Sequence, residues 1–370
     1  MTPAVWRLAG YFLDLGATGF GGPIALVGYM QRDLVERRGW VSQREYAEGL
    51  AFSQLAPGPL AAQLAIYLGW VRGGAAGATV TGAAFLLPSF VMVLALSVAY
   101  VRFGGLPWMR GAFYGIGAAA IAVIARGAVR LATLTLRRDR TLWAVALVNA
   151  AVVVVAQVEL VGVLVASGAL VAGLRSAGER PGRGVVASLA ALPLLSVGTT
   201  PLLELFWFFI KAGAVVFGSG LAIVPFLYGA VEQHGWLTER EFLDAVAVSL
   251  ITPGPVVITV AFIGYLTAGL AGAILAAAGV FLPVYLSVLL FAPSFERIKA
   301  RPGVRAFVDG VTAAASGALA GAAVVLGQRA IPDAGALLLA VGAFALLVAL
   351  RRIPDVAVML AAGAAGVVLA

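Results

Sequence analysis

Long apolar stretches separated by short polar connections run the whole length of the chain. They fall at 8–30, 47–71, 74–101, 108–131, 141–155 and 157–174, and again at 201–228, 242–266, 270–293, 304–327, 334–350 and 353–370. A shorter apolar run, 186–198, lies between the two sets. Most stretches reach the ~20 residues that span a bilayer as a helix; the last two of each set are marginal at ~15–18. The pattern predicts an all-α polytopic membrane protein.

The two sets are copies of one unit. The first reads Phe20-Gly21-Gly22-Pro23, then Arg37-Arg38-Gly39-Trp40, then Pro57-Gly58-Pro59. The second reads Phe217-Gly218-Ser219-Gly220, then His234-Gly235-Trp236, then Pro253-Gly254-Pro255. By subtraction the offset is 197 at Phe20/Phe217 and 196 at Trp40/Trp236 and Pro57/Pro253. Pro88/Pro283, Arg110/Arg305 and Gly115/Gly310 follow at 195, and Glu159/Asp355 at 196. A fixed offset marks an internal repeat. The expected units are residues 1–174 and 201–370, joined by a Gly/Arg-rich linker with a short apolar helix at 175–200.

Gly and Pro interrupt apolar sequence at matching places, which points to discontinuous helices and a transport site. In Leu55-Ala56-Pro57-Gly58-Pro59-Leu60, Pro57 ends a helix at Ala56, Gly58 turns the chain, and Pro59 suits the first position of a new helix. The backbone N–H groups of Leu60 to Ala62 are then free at a positive helix end, which binds anions. Thr252-Pro253-Gly254-Pro255 repeats the device. Gly22 is the expected N-cap before Pro23, and Ser219 the expected N-cap after Phe217-Gly218. Broken backbone in lipid needs cover from protein or a water-filled cavity, so the four breaks are expected to converge near the bilayer midplane. Simple packing kinks are the bland alternative.

Polar side chains flank the breaks: Thr18, Ser53, Gln54 and Gln63 in one half, Ser249, Thr252 and Thr259 in the other. Small hydroxyls in membrane helices often bond only their own or a neighbouring helix; the amides of Gln54 and Gln63 are costlier to bury. Ionisable residues within apolar runs are functional candidates: Asp14, Glu204, Lys211, Asp244 and Asp309. Asp14 and Lys211 share one repeat position. They are open to three readings: an ion pair, an anion-attracting Lys211 with a proton-carrying Asp14, or side chains snorkelling to a membrane face. Asp14, Arg37, Trp40 and Asp244 are coupling or gating candidates. The stretch 31–48 reads as an interfacial amphipathic connection anchored by Trp40, with Trp236 as its counterpart.

Charge adds orientation. The sequence is 62% hydrophobic and 11% charged, against about 25% charged for a soluble domain. Its net +8 reflects Arg in short loops rather than a nucleic-acid surface. If each Pro-Gly-Pro segment and each Phe-Gly segment is a re-entrant hairpin, the Arg-rich ends other than Arg102 and Arg110 share one face, the cytoplasmic one by the positive-inside tendency. The halves then have inverted topology. With no Cys and a single His, thiol chemistry, disulfides and Cys/His metal sites are excluded. No paired carboxylates or nucleophile–base set stands out, so the chain reads as a non-enzyme without cofactor.

The strings from Gly16 to Trp70 and from Lys211 to Pro255 resemble the two signature regions of the chromate ion transporter family, in its long two-domain form. The resemblance covers essentially the whole chain. It rests on Phe-Gly-Gly-Pro, on Arg37 and Trp40, on Gln54 before Pro57 to Pro59, and on Gln63-Leu-Ala-Ile-Tyr-Leu-Gly69. It extends to Lys211, Phe217, Gly218 and Pro253 to Pro255. It implies a multi-pass exporter of chromate in a bacterial or archaeal inner membrane, conferring chromate resistance, with sulfate as a structural analogue. Asp14 departs from it, since that position often holds Lys. The substrate-binding set is then Gly21, Gly22, Ser53, Gln54, Pro57, Gly58, Pro59, Gln63, Lys211, Gly218, Ser219, Thr252, Pro253, Gly254 and Pro255. A lipid-carrier flippase, a transporter or channel for another anion, and a homodimer stay open.

Overall fold

A computed structural model describes residues 3–156, 161–175, 201–218, 220–299, 301–350 and 353–369. The linker residues 176–200, Ser219 and Glu159 lie outside the described residues. The first half contains α1 (Pro3–Thr18), α2 (Gly22–Met30), which runs on as a π-helical turn to Arg37, and α3 (Gln43–Leu55). The two-residue segment β1 (Gly58–Pro59), α4 (Leu60–Phe103), α5 (Pro107–Thr135), α6 (Arg140–Ala156) and α7 (Val161–Arg175) follow. The second half repeats the order with α8 (Pro201–Val215), β2 (Phe217–Gly218), α9 (Val224–His234), α10 (Glu239–Ile251) and α11 (Thr259–Phe291). It ends with α12 (Pro302–Ala330), α13 (Ala334–Ala349) and α14 (Asp355–Leu369). Among the described residues, four segments are long and apolar enough to cross a membrane: Leu60–Phe103, Pro107–Thr135, Val256–Ser294 and Pro302–Ala330.

The Pro-Gly-Pro segments are re-entrant hairpins. At the mouth of the first, Arg72 donates to both carboxylate oxygens of Glu45, at 2.6 and 2.9 Å, and to the Trp40 carbonyl at 2.8 Å. Halfway up, Phe52 stacks on Tyr67 with ring centroids 5.3 Å apart. Glu45 opens α3 and Arg72 closes the first arm of α4, so the chain enters and leaves on one face. The Phe-Gly-Gly-Pro segment returns likewise. Arg7, near the start of α1, lies over the Trp40 ring, and Arg38 lies over Tyr11. Trp40 is thus clamped at the hairpin mouths, half-buried, rather than only anchoring an interfacial connection. The expected amphipathic stretch is a π-helical turn, Gln31–Arg37, followed by a separate α3 capped by Ser42 and Glu45.

The 44-residue α4 is two antiparallel arms, 60–72 and 75–103. Gly73 and Gly74 break it, Gly74 with φ +58°. Thr81 Oγ1 reaches back to the Ala65 carbonyl at 3.0 Å. A side chain at Gly69 would sit 2.5 Å from the Gly77 carbonyl oxygen, so only glycine allows the arms this close. The second half repeats the turn at Gly269 (φ +61°) and the contact at Gly264 and Gly272.

The long arm 75–103 spans about 43 Å at 1.5 Å per residue, enough to cross a bilayer. It starts beside Arg72 and ends at Tyr100, whose hydroxyl donates to Asp244 Oδ2 at 2.7 Å in α10. Tyr100 also packs edge-on against Phe262. The mouth of the second hairpin therefore lies on the opposite face from the mouth of the first. At the other end, Phe52 meets Phe295 just beyond α11. The two halves are inverted repeats.

They also interlock. Helices α6 and α7 pack on α12 of the second half, and α13 and α14 pack on α5 of the first. Lipid offers no hydrophobic force between helices, so close packing of small residues has to hold them. Gly115 sits against the Ala362 carbonyl and Gly310 against the Ser167 carbonyl. Both pairs differ by 195 in number, so one seam is built twice.

Candidate functional site

All four breaks meet, and each half completes the other. The Gly58 N–H donates to the Val216 carbonyl at 2.5 Å, and the Gly254 N–H donates to the Gly19 carbonyl at 2.9 Å. Val216 and Gly19 share one repeat position, just before each Phe-Gly. The Pro-Gly-Pro turn of one half is thus bonded to the Phe-Gly break of the other, reciprocally. On one side the contact extends to a two-residue parallel pairing, Gly58 with Phe217 and Pro59 with Gly218.

Glycine is required where the backbone turns. Gly21, Gly22, Gly58 and Gly254 have φ of +107°, +74°, +138° and +96°, a region that side chains disfavour. Helices restart directly after each turn: α2 at Gly22, α4 at Leu60, a 3₁₀ turn at Gly220–Ile223 before α9, and another at Val256–Ile258 before α11. The starts at Leu60, Gly220 and Val256 lie buried together, whereas the start of α2 at Gly22 joins them only through the Gly19–Gly254 bond and lies on a more exposed side. Gly220 lies against Val256 and Val257, and α4 packs on the 256–258 turn. Two details differ from the sequence expectation by one residue. Gly21, not Gly22, is the N-cap of α2. Pro59 and Pro255 are N-caps rather than first helical residues, because both keep extended ψ of 121° and 125°.

Gln63 stands at the centre. Fully buried, it donates from Nε2 to the Pro57 carbonyl at 2.5 Å and to Ser287 Oγ of the other half at 3.2 Å. Its Oε1 accepts no hydrogen bond among the described residues. The repeat equivalent, Thr259, bonds to the nearby Val256 carbonyl and to no other group among the described residues. Ser53, Ser249 and Thr252 likewise bond backbone carbonyls of their own helix. The buried hydroxyls keep helix ends satisfied, whereas Gln63 alone of this set spans the halves.

The two Phe-Gly breaks differ in exposure. Gly21 is exposed and Gly22 has no atom within 4 Å of the space a side chain would take. Asp14, Thr18 and Gln54 are exposed as well. Val216, Phe217 and Gly220 are buried. Asp14 is in no ion pair among the described residues, so an Asp14–Lys211 pair does not form; Lys211 is half-buried on α8. Arg37 lies away from the breaks, paired with Asp33 at 3.4 Å. Asp244 lies at the far mouth with Tyr100. At the mouth of the first hairpin the Arg72 hydrogen bond holds Glu45 well below the usual carboxylate range, at about 2, against the opposing effect of burial.

Sequence reasoning passed over Ser287, Ser89 and Val284. Ser89 abuts Gly254, and Val284 abuts Gly58. These two occupy one repeat position, directly after Pro88 and Pro283. The matched prolines were the available signal.

Comparison with known proteins agrees in extent with this two-part architecture. The family model described as Chromate transporter matches residues 6–174 and 203–367. A protein named Chromate transport protein from Cupriavidus metallidurans is 53% identical over 97% of this chain and 91% of its own length. A Probable chromate transport protein from Synechococcus elongatus is 49% identical over 98% of this chain and 95% of its own. A Chromate transport protein from Pseudomonas aeruginosa is 32% identical over 97% of this chain and 91% of its own. No solved structure matches.

Proposed function

The chain belongs to the chromate transporter family, and from that premise we propose that it carries chromate, or a related sulfate-like dianion, out of the cytoplasm through the junction of the four breaks. The observation that carries the reading is the reciprocal pair of bonds, Gly58 to Val216 and Gly254 to Gly19. They join the four breaks, each followed by a helix start, where two inverted halves meet. Positive helix ends with backbone N–H donors replace part of an oxyanion's hydration shell. Gln63 is tied to both halves, so its contacts change when one half rocks against the other. Lys211, six residues before Phe217 of the second break, adds positive charge on the approach to it. The Arg-rich hairpin mouths at Arg32 to Arg44 and Arg72 lie on the cytoplasmic face, and the chain sits in the inner membrane.

Export of a dianion under an inside-negative potential is downhill by about 2.3 kcal/mol per charge per 100 mV. The potential alone can therefore drive it. Radiolabelled chromate and sulfate flux in proteoliposomes tests the reading. The wild-type chain moves chromate, and Gln63→Ala and Lys211→Ala each slow it about tenfold, the effect of one lost charge-assisted contact. Absence of wild-type flux, with lipid headgroups bound instead, would favour a flippase.

A further inference from the structure

A cavity of 430 Å³ opens at the face opposite the Glu45–Arg72 mouth. Tyr100, Arg110 and Phe113 of the first half line one wall; Arg240, Glu241 and Asp244 of α10 line the other. Its size suits a small-molecule site. The matching region at the other face explains why this cavity is different. There, Arg44 pairs with Glu48 at 2.8 Å, and Glu45 pairs with Arg72 at 2.6 Å. The repeat equivalents are Arg240 with Asp244, and Glu241 with Thr267, by offsets of 196 and 195. Thr267 carries no charge and bonds its own helix at the Ile263 carbonyl. Asp244 takes its hydrogen bond from Tyr100 instead, a hydroxyl that the equivalent Phe295 lacks. Glu241 accepts from the Thr238 N–H and hydroxyl, both at 2.8 Å.

Both carboxyl groups are thus held by neutral donors on the cavity wall. The guanidinium groups of Arg110 and Arg240 are in no ion pair among the described residues. The N-terminal turn of α10 adds its partial positive charge. Planar guanidinium groups bind tetrahedral oxyanions through paired N–H donors.

We propose that this cavity is a second anion site, a vestibule where a tetrahedral dianion is held by Arg110 and Arg240 on the far side of the membrane from the Arg-rich face. The site takes the same class of anion as the junction and receives it after passage, so it rests on the transport reading. Tyr100 has a positioning role: by holding Asp244 through a hydrogen bond it keeps that carboxylate out of a direct ion pair with Arg240.

Arginine modification with phenylglyoxal, mapped by mass spectrometry on the purified wild-type chain, tests the site without requiring transport. Sulfate slows modification of Arg110 and Arg240 about tenfold and leaves exposed Arg130 unaffected. Equal modification with and without sulfate, or equal protection of Arg130, would overturn the vestibule. In proteoliposomes, Arg110→Gln/Arg240→Gln raises the half-saturating chromate concentration about tenfold from the vestibule face and leaves it unchanged from the other. An unchanged value from the vestibule face also overturns the site. Protection without any wild-type chromate flux would leave the vestibule standing and remove the transport reading.

Discussion

At Gly58 and Gly254 one methyl group decides whether the halves can meet. A side chain at Gly254 would lie 1.9 Å from Ser89 Oγ and 3.0 Å from Ser89 Cβ; at Gly58 it would lie 2.8 Å from Val284 Cγ1. Rotation of Ser89 relieves part of the first clash, but φ of +96° and +138° stays costly for alanine, by about 1–3 kcal/mol. Gly254→Ala and Gly58→Ala are therefore expected to lower the thermal midpoint of the purified chain and to slow chromate flux. Adding Ser89→Gly to Gly254→Ala should restore only part of both. Full restoration would show that crowding, not backbone strain, sets the effect. The need for glycine was legible from Pro-Gly-Pro alone. The partners Val216 and Gly19 were not, because a backbone carbonyl leaves no mark on residue identity.

At the scale of elements, the first hairpin depends on the Glu45–Arg72 clamp. Folding lowers the Glu45 carboxyl from its ordinary 4.5 to about 2, first through the Arg72 hydrogen bond. A depressed carboxylate stabilises the fold fully above 4.5, and that contribution is lost as pH falls from 4.5 toward 2. Solvent reaches the pair, so its worth is about 1 kcal/mol. Glu45→Gln should melt earlier than wild type at pH 7, and the gap should close toward pH 2, as followed by thermal denaturation. A gap that stays constant with pH would contradict the assignment. The hairpins themselves were legible: apolar runs interrupted by Gly and Pro, with Arg gathered at one end, foretold chains that turn back in the membrane. The break at Gly73 and Gly74 was visible only as a gap between two runs. The pairing of Trp40 with Arg7 and Arg72 depended on which face α1 presents, and apolar periodicity does not set that in a membrane.

At the scale of the molecule, two interlocked inverted halves share one junction. The chain contains no Cys, so a single introduced Cys is the only thiol. Gln43→Cys and Glu239→Cys occupy one repeat position at the start of α3 and α10. Membrane-impermeant maleimide should label them from opposite sides of the membrane, and labelling from the same side would rule out inversion. Duplication and inversion were readable from the 195–197 offset and the Arg distribution. The exchange of α6 and α7 onto α12, and of α13 and α14 onto α5, was not, since small residues such as Gly115 and Gly310 mark a seam without naming its partner.

The central claim is that a dianion crosses at the junction of the four breaks, and Gln63 is the side chain that joins both halves there. Chromate flux from proteoliposomes at alkaline pH, under a potential negative on the loaded side, tests it most directly. The account predicts rapid wild-type flux and at least a tenfold loss in Gln63→Glu, which places a negative charge of nearly the same shape in the path. A Gln63→Glu chain that carries chromate at the wild-type rate would contradict it.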